Sequence, residues 1–361
     1  MTTSETSSKN SSISSTSGSR TKPASRGFGW SGLLGIVVSL LLLWWALHDV
    51  SPREVWANLR GVRPVWLVAT VVLATAAFPA RAVRWRYLLR LEGETLPLGP
   101  LWHGVAIGFM ANNLLPARAG ELARAYTARR LTDVRFTTAL ASIAVERVLD
   151  GLTLVAFLVT ASWAGGFSNE TVLGDVTVGS VARGAGALFG GVLLAAILIV
   201  RMPDLALRFA GAATRILLPA AWRGRALDLT RGLLLGFEAL RSPARLVAAS
   251  LWSLGVWLLA AASFWAGFRA FGIDAPWATA LLAQALVGFG VAIPSSPGFF
   301  GPFEAAVKVS LALYAVGATS AVSFAVGYHI TTFIPITLLG IWSLSRAQMH
   351  LAELREASAS A

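Results

Sequence analysis

The sequence predicts an all-α integral membrane protein with about six full spans and two re-entrant helical hairpins arranged as an inverted repeat. Three observations lead there. Of the 361 residues, 55% are hydrophobic and only 13% are charged, whereas soluble domains carry about a quarter charged residues. Apolar runs alternate with arginine-rich loops, the pattern of a polytopic protein with positive cytoplasmic loops. Two further apolar segments are too short to cross, and each is broken by proline and glycine. Mean hydropathy is +0.66 and the formal net charge is +12. That charge sits between apolar stretches, so it suits anionic lipid and not nucleic acid. The absence of cysteine excludes disulfides, thiolate metal sites and a cysteine nucleophile.

Residues 1–29 form a Ser/Thr-rich basic tail with the composition of a disordered segment. The membrane domain covers 30–345. Trp30–His48 is a first span with Trp44 and Trp45 as interfacial anchors, and Val65–Phe78 a second. A loop with Arg81, Arg84, Arg86 and Arg90 follows. Leu101–Leu115 is then only about 22 Å long at 1.5 Å per residue, against a hydrocarbon core of roughly 30 Å. Arginines flank it on both sides, so it must enter and leave on one face, turning near Asn112, Asn113 and Pro116. Thr137–Trp163 spans, and Gly165–Arg183 is an outer loop. Gly184–Val200 returns, with Gly186 and Gly190 in a spacing that allows close helix packing. Residues 201–245 make a cytoplasmic amphipathic connector with eight arginines.

Leu246–Phe268 spans outward, and Trp277–Ile293 is again short. It runs into Pro294, Pro297, Gly298, Gly301 and Pro302, where proline removes a donor and glycine loosens the backbone. Phe303–Val316 is the second limb, Ala321–Leu344 spans back, and 346–361 is a cytoplasmic tail. Open backbone at membrane depth is tolerated only where protein buries it or a wet cavity receives it. Span, broken hairpin, span thus occurs at 64–163 and at 246–344. Pro116 and Gly120 match Pro297 and Gly301 in spacing, with Glu121 and Glu304 following. The loop charges place the hairpins on opposite faces, the plan of many transporters.

Four ordered stretches carry a family resemblance: Arg81–Arg90, Asn112–Tyr126, Glu146-Arg-Val-Leu-Asp150, and Pro294–Glu304. Together they resemble the flippase-like family named after the transmembrane region of lysylphosphatidylglycerol synthase, over roughly residues 30–345. The resemblance implies that a lipid headgroup is moved between leaflets. In that family some relatives are linked to polyprenyl-phosphate sugars, and others carry a soluble aminoacyl-transfer domain. This chain resembles the translocating half, so lysyl transfer is not implied.

The candidate site follows from charge at membrane depth. Glu146, Arg147 and Asp150 lie inside an apolar span, where each ionised group costs at least about 2.5–3.5 kcal/mol. Glu146 and Asp150 share a face, and Arg147 reaches Asp150 at i,i+3; the plainer alternative is a structural ion cluster. Arg118, Glu121 and Arg124 follow the first break at helical spacing, beside a helix start at Gly120 that suits phosphate. They are equally what a positive-inside loop contains. Arg84 and Arg86 flank Trp85 as a phosphate reader or an ordinary helix end. Ser295, Ser296 and the backbone around Pro297, Gly298 and Gly301 could line a headgroup cavity, with Glu304 pairing Lys308 at i,i+4. His103 and His329 sit in apolar stretches, where either could relay protons, but a lone buried histidine is more often a hydrogen-bonded structural residue.

No metal-ligand spacing, nucleotide loop or serine-hydrolase motif occurs, so no metal or cofactor is expected. With no soluble catalytic or ATPase domain, the expectation is a translocase and not an enzyme. The expected partners are membrane lipids, anionic or carrying a lipid-linked phosphate, with a second copy or a partner synthase as protein partner. The alternatives are a membrane transferase on a lipid-phosphate donor and a non-transporting partner of a lipid or glycan synthase. The expected location is the cell membrane, multi-pass, with both termini cytoplasmic.

Overall fold

The computed structural model describes residues 30–89, 96–115, 119–166, 172–173, 176–204, 237–293 and 295–354, with isolated positions between 205 and 236. Nearly all of this is helix, apart from a two-residue antiparallel ladder pairing Val172–Leu173 with Val176–Thr177. The N-terminal tail, the outer-loop acids, most of the 201–245 connector and the last residues lie outside the described residues.

Helix α1 (Trp30–Leu47) is followed, after an 82° bend, by α2 (Pro52–Arg60). The short α2 has no place in the sequence expectation because no apolar run marks it. Its signals are Pro52 in the first turn and Glu54 and Arg60 at the ends that favour their charges.

Helix α3 (Pro64–Leu88) corrects the expected loop at Arg81–Arg86. It runs on for 25 residues, carrying Pro79 in its interior and burying Arg81 and Arg84. Those arginines have partners inside the bundle, so they do not end the helix. Helices α4 (Leu98–Leu114) and α5 (Gly120–Leu131) form the first hairpin. They approach so closely that a β-carbon on Gly108 would lie 2.9 Å from the Gly120 carbonyl oxygen. Across the break, the Gly120 N–H donates to Asn112 Oδ1 at 2.9 Å.

Helix α6 (Phe136–Ala164) is 29 residues long and carries the three ionisable side chains near its middle. Helix α7 (Val178–Arg201) starts in a reciprocal cap between Thr177 and Ser180. Gly186 and Gly190 do not provide close packing, since space around Gly190 is open. The tight contact is Gly151 of α6, where the Phe189 ring occupies the room a side chain would need.

Helix α8 (Pro243–Ala270) leads to α9 (Trp277–Gly290), one 3-10 turn at Pro297–Phe299, α10 (Pro302–Ala312) and α11 (Ala318–Arg346). By length and apolar character, four described segments can cross a membrane: Pro64–Leu88, Val178–Leu198, Pro243–Ala270 and Ala318–Arg346. The bent α1–α2 pair makes a fifth if counted as one span.

The helices pair reciprocally. Helix α3 packs along α8, where Ser263 Oγ donates to the Thr70 carbonyl at 2.9 Å. The first hairpin packs through α4 on α11, with Gly340 against the Ala106 carbonyl and Met110. The second packs through α9 on α6, with Gly288 against Leu154. Each hairpin therefore rests on the last helix of the other half. The 3-10 turn of the second break also touches α4, which brings the two breaks together.

Candidate functional site: a buried ion network beside a cleft

Three helices deliver the charges. Glu146 and Asp150 project from α6, Arg81 and Arg84 from α3, and Arg124 from α5, all of them buried. Arg124 grips Glu146 with both prongs of its fork, at 2.6 and 2.8 Å. Arg84 Nη2 and Arg147 Nη2 each lie 2.7 Å from Glu146 Oε1. Three guanidinium groups thus converge on one carboxylate. Asp150 takes Arg84 Nη1, the Trp257 indole N–H at 2.8 Å, and Arg147 at 3.1 Å. Arg84 Nη1 also donates to Ser253 Oγ at 3.0 Å.

Aromatic rings complete the setting. The Arg124 guanidinium lies 3.8 Å from the Trp85 ring centroid, and Trp85 Nε1 donates to Ser142 Oγ. Arg81 sits 5.0 Å from the Phe109 ring and 5.5 Å from the Trp257 ring. It makes no ion pair among the described residues. Four arginines against Glu146, Asp150 and nearby Glu121 leave the network net positive. A buried network of this sign is costly unless further negative charge approaches it.

The network opens at one place. The Arg147 side chain is 37% exposed, while those of Glu146 and Arg84 are fully buried. It faces a cavity of about 130 Å³ lined also by Arg81, Asn112, Gly120, Glu121, Arg124 and Phe299. A second cavity of about 450 Å³ shares Glu121, Arg147 and Trp257, and continues along Leu154, Phe189, Gly288 and Phe289. One cleft therefore grades from guanidinium to hydrocarbon. Among the described residues no cluster of side chains is suited to hold a metal ion.

The predicted residues are distributed unevenly over this site. Arg84, Arg124, Glu146, Arg147 and Asp150 form the network, and Asn112, Gly120 and Glu121 line the cavity. Arg86 is half-buried, and among the described residues it makes no ion pair with the network. Asn113 ties α4 to Thr337 of α11 at 2.9 Å. Pro116 and Arg118 lie outside the described residues. In the second break, Ser296 donates its N–H to Ser39 Oγ of α1 at 2.8 Å, and Gly35 and Gly301 pack on the backbone of Ser295 and Ser39. Ser295, Ser296, Gly298 and Gly301 thus seat the break on its neighbours beside Pro297, and among the described residues of the break Phe299 alone lines that cavity.

Glu304 does not pair with Lys308. It accepts the Gly301 N–H at 2.6 Å and meets His329 at 2.7 Å. Lys308 instead reaches Asp49 at 2.5 Å and the Ala46 carbonyl at 3.1 Å, capping the end of α1. Sequence reasoning missed Arg81, Trp257 and Phe299. Arg81 had a signal, its i,i+3 spacing to Arg84 on one helical face. Trp257 had a weaker one, an indole N–H in mid-span that needs an acceptor.

A known protein resembles the chain over most of its length, and another over about a third of it. It is 29% identical over 351 residues to the protein named glycosyltransferase AglD of Haloferax volcanii, covering 91% of this chain and 56% of that protein. It is 22% identical over 124 residues to UPF0104 membrane protein MJ1595 of Methanocaldococcus jannaschii, covering 34% of this chain and 37% of that one. The chain thus matches about half or less of the length of these relatives. Likeness across most of the chain to a protein named a glycosyltransferase overturns the expectation, drawn from the lack of a soluble catalytic domain, that no enzyme is involved. The family model described as the lysylphosphatidylglycerol synthase TM region matches residues 32–340, and the chain belongs to that family.

Proposed function

We propose that the chain carries a phosphate-bearing lipid headgroup through the membrane, holding it in the cleft at Arg147 while the tails stay in hydrocarbon. The observation that carries this reading is the continuity of the cleft. Its charged end offers guanidinium groups to a phosphate, and its other end is apolar enough for the start of a lipid tail. Arg81 and Arg147 are the cations with most to gain from a phosphate: Arg81 makes no ion pair among the described residues, and Arg147, although paired with Glu146 and Asp150, is the partly exposed one. Glu146 and Asp150 hold the arginines in place.

The reciprocal pairing of hairpins and closing helices supports an inverted repeat whose halves rock about the α3–α8 contact. In this reading the chain makes six crossings, sits in the cell membrane with both termini cytoplasmic, and takes anionic or lipid-linked phosphates. A second copy of the chain or a synthase is its protein partner. The test is lipid movement in proteoliposomes with a fluorescent anionic phospholipid. Arg147→Ala should abolish movement while leaving expression and thermal stability near wild type, since Arg147 is the most exposed cation of the network. Unchanged movement in both Arg147→Ala and Asp150→Asn would remove the network from the pathway.

A second reading is favoured by the likeness to a named glycosyltransferase. Here the same phosphate belongs to a lipid-linked glycosyl donor, and Asp150 or Glu146 assists transfer. This version predicts product in detergent from a polyprenyl-phosphate sugar, with no second leaflet present. Movement without product selects the first reading, and product without movement the second.

A further inference from the structure

His329 of α11 lies buried against the second break, outside the network described above. Its Nε2 is 2.8 Å from the Gly298 carbonyl oxygen, and its Nδ1 is 2.7 Å from Glu304 Oε1. The other carboxylate oxygen takes the Gly301 N–H. The Phe300 and Phe303 rings lie with centroids 4.4 Å from the imidazole and cover it.

Proton counting constrains this arrangement. A carbonyl oxygen only accepts, so the contact to Gly298 requires a hydrogen on Nε2. The contact between Nδ1 and Oε1 then requires a second proton between them. The pair must hold both, as imidazolium with carboxylate or as neutral imidazole with carboxylic acid. With only one, two bare acceptors face each other at either Gly298 or Glu304, in a buried setting where such a mismatch is expensive. One of the two contacts has to open.

Both contacts pin the same few residues. Gly298, Phe299 and Gly301 all have positive φ, at 75°, 63° and 97°. For Phe299 that conformation is strained and needs support from its surroundings. Phe299 is also the residue of this break that walls the charged cavity.

We propose that His329 and Glu304 form a proton-binding site that pins the second break when loaded and frees it, with the Phe299 wall, when one proton leaves to water. The coupling of that proton to lipid movement rests on the translocase reading. Several polar and charged groups on the packed elements are engaged elsewhere, while Ser295 Oγ of the break is buried with no hydrogen-bond partner among the described residues. On α10, Lys308 turns to Asp49 of α1; on α11, the Tyr328 hydroxyl meets Ser263 Oγ of α8 at 2.9 Å, and Thr332 donates to its own helix. Ser39 of α1 holds Ser296, and α4 contributes uncharged Asn112 and Asn113. Arg81 and Arg147 line the same cavity as Phe299.

The test uses the full chain in nanodiscs with ¹⁵N-labelled histidine. There are four histidines, and the His329 resonance is assigned by its loss in His329→Gln. Over one interval of a pH series, that resonance should report loss of a proton. Amide exchange over 298–301, corrected for its intrinsic pH dependence, should rise several-fold in the same interval. In Glu304→Gln the amide can donate to Nδ1 while its oxygen accepts from Gly301. Every contact is then met without the labile proton, so exchange should stay slow and flat with pH. Flat exchange in wild type, or pH-dependent exchange in Glu304→Gln, overturns the proposal. Should the variant fail to fold, the wild-type resonance and exchange decide alone.

In proteoliposomes a proton gradient should change the rate of lipid movement several-fold in wild type and not in Glu304→Gln. A wild-type rate indifferent to the gradient overturns the coupling. No movement under any condition overturns the translocase reading, and the resonance and exchange still judge the proton site.

Discussion

Glu146 bears the densest electrostatic load among the described residues, with Arg84, Arg124 and Arg147 all within ion-pair distance of Oε1. Removing it would leave three buried or half-buried cations without their common partner. Breaking a buried pair from one side costs about 3–5 kcal/mol, so Glu146→Ala should lower the thermal unfolding midpoint in detergent sharply. Arg86→Ala removes a half-buried arginine outside the network, and its stability should stay within about 0.5 kcal/mol of wild type. Equal losses in the two variants would show that burial of the network contributes nothing special. Glu146, Arg147 and Asp150 were legible in the sequence because charge inside an apolar run has to be explained. Arg84 was harder to place. Arginines after an apolar run look like an interface, and its partner Asp150 lies 66 positions away. Trp257 carries no charge and stands in an apolar helix, so only the need of its indole N–H for an acceptor sets it apart from core.

At the scale of elements, the hairpins depend on how closely their limbs approach. A β-carbon on Gly108 would meet the Gly120 carbonyl at 2.9 Å and Arg124 Cβ at 3.1 Å. Gly108→Ala should therefore push α5 off α4, cost about 1–3 kcal/mol as overpacking does, and loosen Arg124 from Glu146. Gly190→Ala is the contrast, since nothing lies within 4 Å of its added methyl. Replacing a helical glycine in open space gains up to about 1 kcal/mol, so this variant should melt at or above the wild-type temperature. Melting curves of the two variants decide between these outcomes. The position of both breaks was legible, because proline and glycine act locally on the backbone. Their surroundings were not. That Ser296 and Gly301 would rest on Ser39 of α1, and that Glu304 would choose His329 over Lys308, depends on contacts between segments distant in sequence. The apparent glycine motif at Gly186 and Gly190 misled for the same reason, since spacing alone does not say which helix lies opposite.

For the whole molecule, the reciprocal placement of the hairpins makes a claim about orientation that labelling can test. If α3–α6 and α8–α11 are inverted copies, α4 and α11 begin on opposite membrane faces. The chain has no cysteine, so single cysteines report unambiguously. Gly99→Cys stands near the start of α4, exposed and with nothing within 4 Å of an added side chain. Thr319→Cys stands at the half-exposed start of α11. A membrane-impermeant thiol reagent applied to intact cells should label Thr319→Cys and spare Gly99→Cys until the cells are opened. The arginines around α4 argue for that assignment, because cytoplasmic loops hold the excess of lysine and arginine. Labelling of both from one side would mean that the halves run in parallel. The hairpins would then dip from the same face, and the cleft at Arg147 would open to one leaflet alone, which suits a transferase and not a carrier. Opposite labelling would leave Arg147 between two half-depth entrances, one from each face, as a headgroup crossing the membrane requires.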